Sequence, residues 1–80
     1  MDALDGNSIA GELFEHFGAE MTSSPGTCAY CGASALVGEL RVYSRAPGAV
    51  VRCPSCGNVV IVLVRIRDGL RVDASAFRGL

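Results

Sequence analysis

Thr27-Cys28-Ala29-Tyr30-Cys31-Gly32 and Arg52-Cys53-Pro54-Ser55-Cys56-Gly57 are two copies of one pattern, Cys-x-x-Cys-Gly. Two residues between cysteines let one tight turn aim both sulfurs at a common ion about 2.3 Å away, and two such turns complete a tetrahedron. A glycine after each pair can take the positive φ that lets the chain leave the turn, freeing nearby amides to donate to sulfur. Paired thiols without metal are the competing reading, but two matched pairs, each followed by glycine, favour a zinc site on Cys28, Cys31, Cys53 and Cys56. Four thiolates leave no open coordination position, so the ion is expected to be structural. Structural zinc is worth about 10 to 16 kcal/mol against a usual domain stability of about 5 to 15 kcal/mol, so this region is expected to be unfolded without metal.

The rest of the composition agrees. Eighty residues make one domain, over 1–80, and so short a chain buries too little surface to be comfortable without a staple. Half the residues are apolar and 19% are charged, which excludes a disordered tail. The start, Met1-Asp2-Ala3-Leu4-Asp5, is acidic where a signal peptide needs positive charge. Val59 to Val64, the longest apolar run, falls far below the roughly 20 residues of a membrane-spanning helix. A cytoplasmic setting without membrane contact is expected, and in a reducing compartment paired cysteines are more often ligands than disulfides.

The formal charge of −1 conceals an asymmetry: residues 1–40 carry six acids and no Lys or Arg, whereas 41–80 carry seven Arg and two Asp, so the halves stand at −6 and +5. Four thiolates around a divalent ion add a further −2, which argues against bulk attraction to nucleic acid. Every cation is Arg, which is read as coding bias rather than as planar recognition of carboxylate or phosphate.

Apolar Ile9, Leu13, Phe14 and Phe17 fall at helical spacing between Asn7 and Gly18, predicting an amphipathic helix within a helical segment 1–20. Asn7 or Ser8 is the expected cap and Gly18 the stop. Leu36 to Tyr43 alternates like a half-buried strand broken by Gly38, and Ala46-Pro47-Gly48-Ala49 places Pro and Gly at the centre of a type II turn leading into a strand Val50 to Arg52. Val59 to Ile66 is β-branched and apolar almost throughout, as for a strand covered on both faces. A three-residue loop ending in left-handed Gly69 would set Ile66 opposite Leu70 and Val64 opposite Val72. The tail from Ala74 to Leu80 carries no decisive signal.

Other candidate residues have ordinary explanations. His16 stands alone, and all four metal positions are already filled. Phe14, Phe17 and Met21 fit a partner groove, but at helical spacing they more often pack on a sheet. Arg41, Arg52, Arg65, Arg67 and Arg71 fit a phosphate-binding or acidic-partner edge, or simply a solvated face.

With both cysteine turns read, residues 27–73 resemble the zinc ribbons, in which two such turns, each on a β-hairpin, grip one ion and a third strand completes the sheet. More closely, Leu4-Asp5-Gly6-Asn7, Phe14-Glu15-His16-Phe17-Gly18 and Ala46-Pro47-Gly48-Ala49-Val50-Val51-Arg52-Cys53 resemble a small actinobacterial family of unknown function over nearly the whole chain, implying a bacterial protein with no activity attached. Cys53-Pro54-Ser55-Cys56-Gly57 is also similar to rubredoxin, but the tyrosine and aromatic core that rubredoxins usually have are replaced by Ala33-Ser34-Ala35 and only five aromatics. Iron is therefore the minority alternative to zinc, with an iron–sulfur cluster below it.

The expected architecture is a small metal-stabilised α+β fold: an N-terminal helix, then a zinc-ribbon antiparallel sheet of three to four strands. The expected role is a non-enzymatic zinc module, with one ion per chain, that meets a protein partner or a second copy through apolar strand 59–66. Nucleic-acid binding is possible but not favoured, for want of an aromatic ladder. Rubredoxin-like electron transfer is the third reading.

Overall fold

The structure, a computed structural model, describes residues 4–45 and 47–80. In chain order it runs β1 (Leu4–Asp5), a 3-10 turn (Gly6–Ile9), α1 (Ala10–Phe17), β2 (Pro25–Cys28), β3 (Ser34–Leu36) and a second 3-10 turn (Val37–Glu39). It continues through β4 (Arg41–Arg45), β5 (Gly48–Arg52), β6 (Val59–Ile66), β7 (Gly69–Asp73) and β8 (Phe77–Arg78). All pairings are antiparallel, in a five-stranded sheet ordered β1-β4-β5-β6-β7 and a three-stranded sheet ordered β3-β2-β8. The α+β class stands, but among the described residues eight strands in two sheets replace the expected three to four in one.

The inner face of the large sheet carries Val42, Val51, Ile61 and Leu63, all buried, and α1 lies over it through fully buried Leu13 and the preceding Ile9. Four residues apart, Ile9 and Leu13 form the apolar stripe that docks this short helix. Neither Asn7 nor Ser8 caps α1, whose N-cap position is Ile9 without a side-chain cap; Asp5 caps the preceding 3-10 turn, its carboxylate accepting from the Asn7 amide at 3.0 Å. Gly18 ends the helix in the left-handed region, as its position predicts, donating to Phe14 O at 2.8 Å. Phe14 and Phe17 are 55% and 37% exposed: Phe14, next to Leu13, points off the docked stripe, and Phe17 is the last residue of the short helix. Met21 does pack against the core.

Gly38 divides the expected strand 36–43 more completely than a break within one strand would. The segment Val37–Glu39 is a 3-10 turn, closed by the Glu39 carboxylate accepting from the Leu36 amide at 2.7 Å, and β3 and β4 on either side join different sheets. Inward-facing Val37, Leu40 and Val42 are consequently buried while Leu36 is exposed.

The β4–β5 turn is also displaced. Ala46 lies outside the described residues, but Gly48 already belongs to β5, pairing with Arg45 on one side and Val64 on the other, so it is not a central turn residue. It serves close approach between strands: a Cβ there would lie 2.0 Å from the Leu63 carbonyl oxygen. Strand β6 is covered on both faces only in its first half. Val51 pairs with Ile61 and Arg52 with Val59, leaving Val60 as a bulged residue, and Val60 and Ile61 are both buried. Beyond them Val62 and Val64 are half-buried and Ile66 is 45% exposed.

This open second half explains the register of the last hairpin. Ile66 pairs with Gly69, Val64 with Arg71 and Leu63 with Val72, giving a two-residue loop, Arg67-Asp68, in place of the expected three-residue one. Opposition of valine to arginine is tolerated because that face meets solvent, while the buried residue, Leu63, obtains the apolar partner. The tail also acquires structure: β8 pairs with β2, setting buried Phe77 opposite Cys28.

Two alanine substitutions should move stability in opposite directions. Gly48→Ala forces β5 away from the Leu63 carbonyl and is expected to cost about 2 kcal/mol or more, whereas Gly11→Ala, with open space around its Cβ, should stabilise α1 by about 0.5 to 1 kcal/mol. Denaturant midpoints of the two variants check both signs.

Candidate metal centre

Each cysteine pair closes a hairpin. Cys28 ends β2 and the chain returns into β3; Cys53 follows β5 and the chain returns into β6. The two turns are built alike: Cys28 N–H donates to Ala33 O and Gly32 N–H to Cys28 O, both at 2.9 Å, while Cys53 N–H donates to Asn58 O and Gly57 N–H to Cys53 O, again at 2.9 Å. Gly32 and Gly57 adopt φ of 77° and 80°, the conformation the sequence pattern requires at both exits.

These turns bring all four sulfurs within 4.8 Å of one another. Cys28 Sγ lies 3.7 Å from Cys56 Sγ and Cys31 Sγ lies 3.7 Å from Cys53 Sγ, so each turn reaches the other through two close sulfur contacts. A tetrahedron whose corners sit about 2.3 Å from its centre has edges of about 3.8 Å, so the sulfurs fit a four-coordinate ion of zinc or iron size. A disulfide needs about 2.05 Å. The first cysteine of each turn, Cys28 and Cys53, is buried at a strand end, and Cys31 and Cys56 sit on the rim.

Surrounding donors favour thiolate at particular sulfurs. The Ser55 amide donates to Cys53 Sγ and the Asn58 side-chain amide to Cys56 Sγ, each at 3.4 Å. The Asn58 backbone amide, against some desolvation and with help from its side chain and the Cys28 and Cys31 thiols, holds Cys56 down at about 6. For Cys53, desolvation acts upward, but the Cys56 and Ser55 amides and the Cys31 thiol bring it below the ordinary thiol range. Cys31 goes the other way: the Ala33 amide favours its thiolate, but desolvation and the three neighbouring thiols outweigh it and push the group up to about 12. Four sulfurs this close cannot all be anionic without a cation among them.

All four predicted ligands converge, and among the described residues theirs is the one cluster suited to a metal. His16 is exposed, its ring edge-on to Phe17 at 4.8 Å between centroids, and takes no part. Three groups support the turns in ways the sequence did not indicate, Arg52 among them standing there only as part of an arginine edge. Asn58 supplies its side-chain donor, Ala76 O accepts from the Ala29 amide at 2.9 Å and ties the tail to the first turn, and Arg52 donates to Gly57 O at 2.8 Å to brace the second. A polar residue directly after Gly57 was the one available sign of the first.

The fold and site define a small α+β protein, one helix on antiparallel strands, with a four-cysteine centre suited to a metal ion. Residues 1–80 match the family of unknown function DUF6510, and the chain belongs to that family. No curated protein and no solved structure matches it. Among the described residues no helix is long and apolar enough to cross a membrane.

Metal loading should be pH-dependent with a definite sign. Cys31, held near 12, must surrender its proton to the ion throughout the neutral range, whereas Cys56, near 6, is already ionised above neutrality. The apparent affinity should therefore rise at least about tenfold from about pH 7 to pH 8, as chelator competition at the two values would measure.

Proposed function

We propose that Cys28, Cys31, Cys53 and Cys56 hold one zinc ion whose role is structural, and that the sheet it organises is a non-catalytic surface for binding another protein. The observation that carries the proposal is the pair of 3.7 Å sulfur contacts between the two turns, which matches the edge of a zinc–thiolate tetrahedron. Four protein sulfurs complete the coordination, leaving no position for water or substrate, which favours a structural over a catalytic ion. Among the described residues Phe77 is the one buried aromatic, so the aromatic surroundings usual for a rubredoxin-type iron are missing, and zinc is the better assignment.

The binding role is supported by apolar surface that the fold does not cover: Phe14, Tyr30 and Ile66 are 55%, 63% and 45% exposed. The setting proposed is the bacterial cytoplasm, where reduced thiols remain available to the ion.

Elemental analysis of natively purified protein, together with its visible spectrum, tests the assignment. One zinc per chain and a colourless sample are expected; iron with thiolate charge-transfer bands would replace this reading with electron transfer.

A further inference from the structure

The outer face of the large sheet, opposite α1, has an organisation of its own. Cross-strand pairing aligns Tyr43, Val50, Val62 and Asp73 in one row, and Val64 with Arg71 and Arg41 with Arg52 in the rows on either side. Two depressions open on this face. One, of about 270 Å³, is lined by Tyr43, Pro47, Val50, Val62 and Val64 among others. The second, of about 240 Å³, has a mixed lining of Tyr30, Val59, Val60, Val62 and Ala76 with the polar Asp73 and Ser75. They adjoin at Val62, the first mainly apolar and the second apolar on its Tyr30 and Val59 side and polar at Asp73 and Ser75.

Its rim is cationic. Arg41, Arg52 and Arg71 are exposed, and among the described residues the one ion pair, Glu15 with Arg65 at 2.8 Å, lies on the helix side. Arg52 sits 5.8 Å from the centroid of the Tyr43 ring. Asp73 is the one acid in these rows, and its carboxylate already accepts from the Ser75 amide at 3.0 Å and hydroxyl at 2.8 Å. An apolar centre surrounded by arginines is the anatomy of a protein-recognition surface.

We infer that this face binds an acidic peptide segment of another protein, with an apolar side chain of the segment in the first depression, another against Tyr30 in the second, and its carboxylates on Arg41, Arg52 and Arg71. The inference rests on the structural zinc reading, because Tyr30 lies between Cys28 and Cys31 and keeps its place over the second depression only while that turn is held. A second copy of the chain is a poorer occupant. Its acidic patch, α1 with exposed Phe14 and Phe17, lies on the opposite side of the sheet, so copies would stack head to tail without closing. Nucleic acid is also poorer, since the two tyrosines stand in separate depressions with valines between them and form no stacking ladder, and the chain as a whole is anionic.

The test uses the full chain, its metal content measured on the same sample, in selection from a displayed library of random peptides. Enriched peptides should combine Asp or Glu with aliphatic or aromatic residues. One synthesised peptide should shift the NMR signals of Tyr30, Tyr43, Val50, Val62 and Val64, and bind at least about tenfold more weakly to Arg41→Glu and to Arg71→Glu. Both substitutions are on exposed strand positions, and Phe14→Ser on the far side should leave binding unchanged. The inference is overturned if a folded, zinc-loaded chain enriches no acidic peptides, if the shifts fall on α1, or if oligothymidylate binds this face more tightly than the peptide. A chain purified without zinc overturns the structural zinc reading instead, whatever the peptide result.

Discussion

Four sulfurs within 4.8 Å of one another tie together two sheets that share one apolar core. Cys28 and Cys31 close the β2–β3 hairpin of the small sheet, and Cys53 and Cys56 close the β5–β6 connection of the large one. An ion bound there is a cross-link between sheets as well as between residues distant in sequence, and in an 80-residue chain that distinction matters. Such chains bury too small a fraction of their surface for apolar burial alone to provide a wide margin, and small domains commonly rely on metals or disulfides instead. The core is built accordingly, from a tight set of aliphatic residues on the inner face of the large sheet with only Phe77 as a buried aromatic among the described residues. Cys28 and Cys53 are themselves part of that core, so the metal centre and the apolar interior are one packed unit.

How much of this was legible in the sequence depended on whether local chemistry or tertiary exposure decided the matter. Gly32 and Gly57 take positive φ because any chain leaving a two-residue cysteine turn must, and Gly18 ends α1 for a similarly local reason. Those positions, and the convergence of the four cysteines, follow from residue type and spacing. The hairpin register did not. An apolar-to-apolar match for Val64 and Ile66 was the natural expectation, but both lie on a face that meets solvent, and the pairing instead serves Leu63. Phe14 and Phe17 misled in the same manner, since helical periodicity does not reveal which arc of a short helix is docked. Gly48 resembled a turn residue, whereas its lack of a side chain admits the Leu63 carbonyl. The tail offered no periodic signal because its two-residue strand is recruited by β2 and by the Ala76 contact to the first cysteine turn.

The same cross-link connects the centre to the surface. Arg52 braces the second turn through Gly57 O and also lies over Tyr43, while Tyr30 rises from within the first turn. The apolar outer face of β5 and β6 is thus bordered on one side by groups whose positions depend on the sulfurs. An ion held in this arrangement would do more than add stability, because it would fix the spacing of Tyr30, Arg52 and Tyr43 on the surface.

The central claim, that folding depends on an ion at the four cysteines, is tested most directly by titrating cobalt into the metal-free chain while following thiolate-to-cobalt absorption and NMR dispersion together. The account predicts a poorly dispersed starting state, with both signals rising in step and saturating at one equivalent per chain. Full dispersion before any metal is added, or saturation at another stoichiometry, would contradict it.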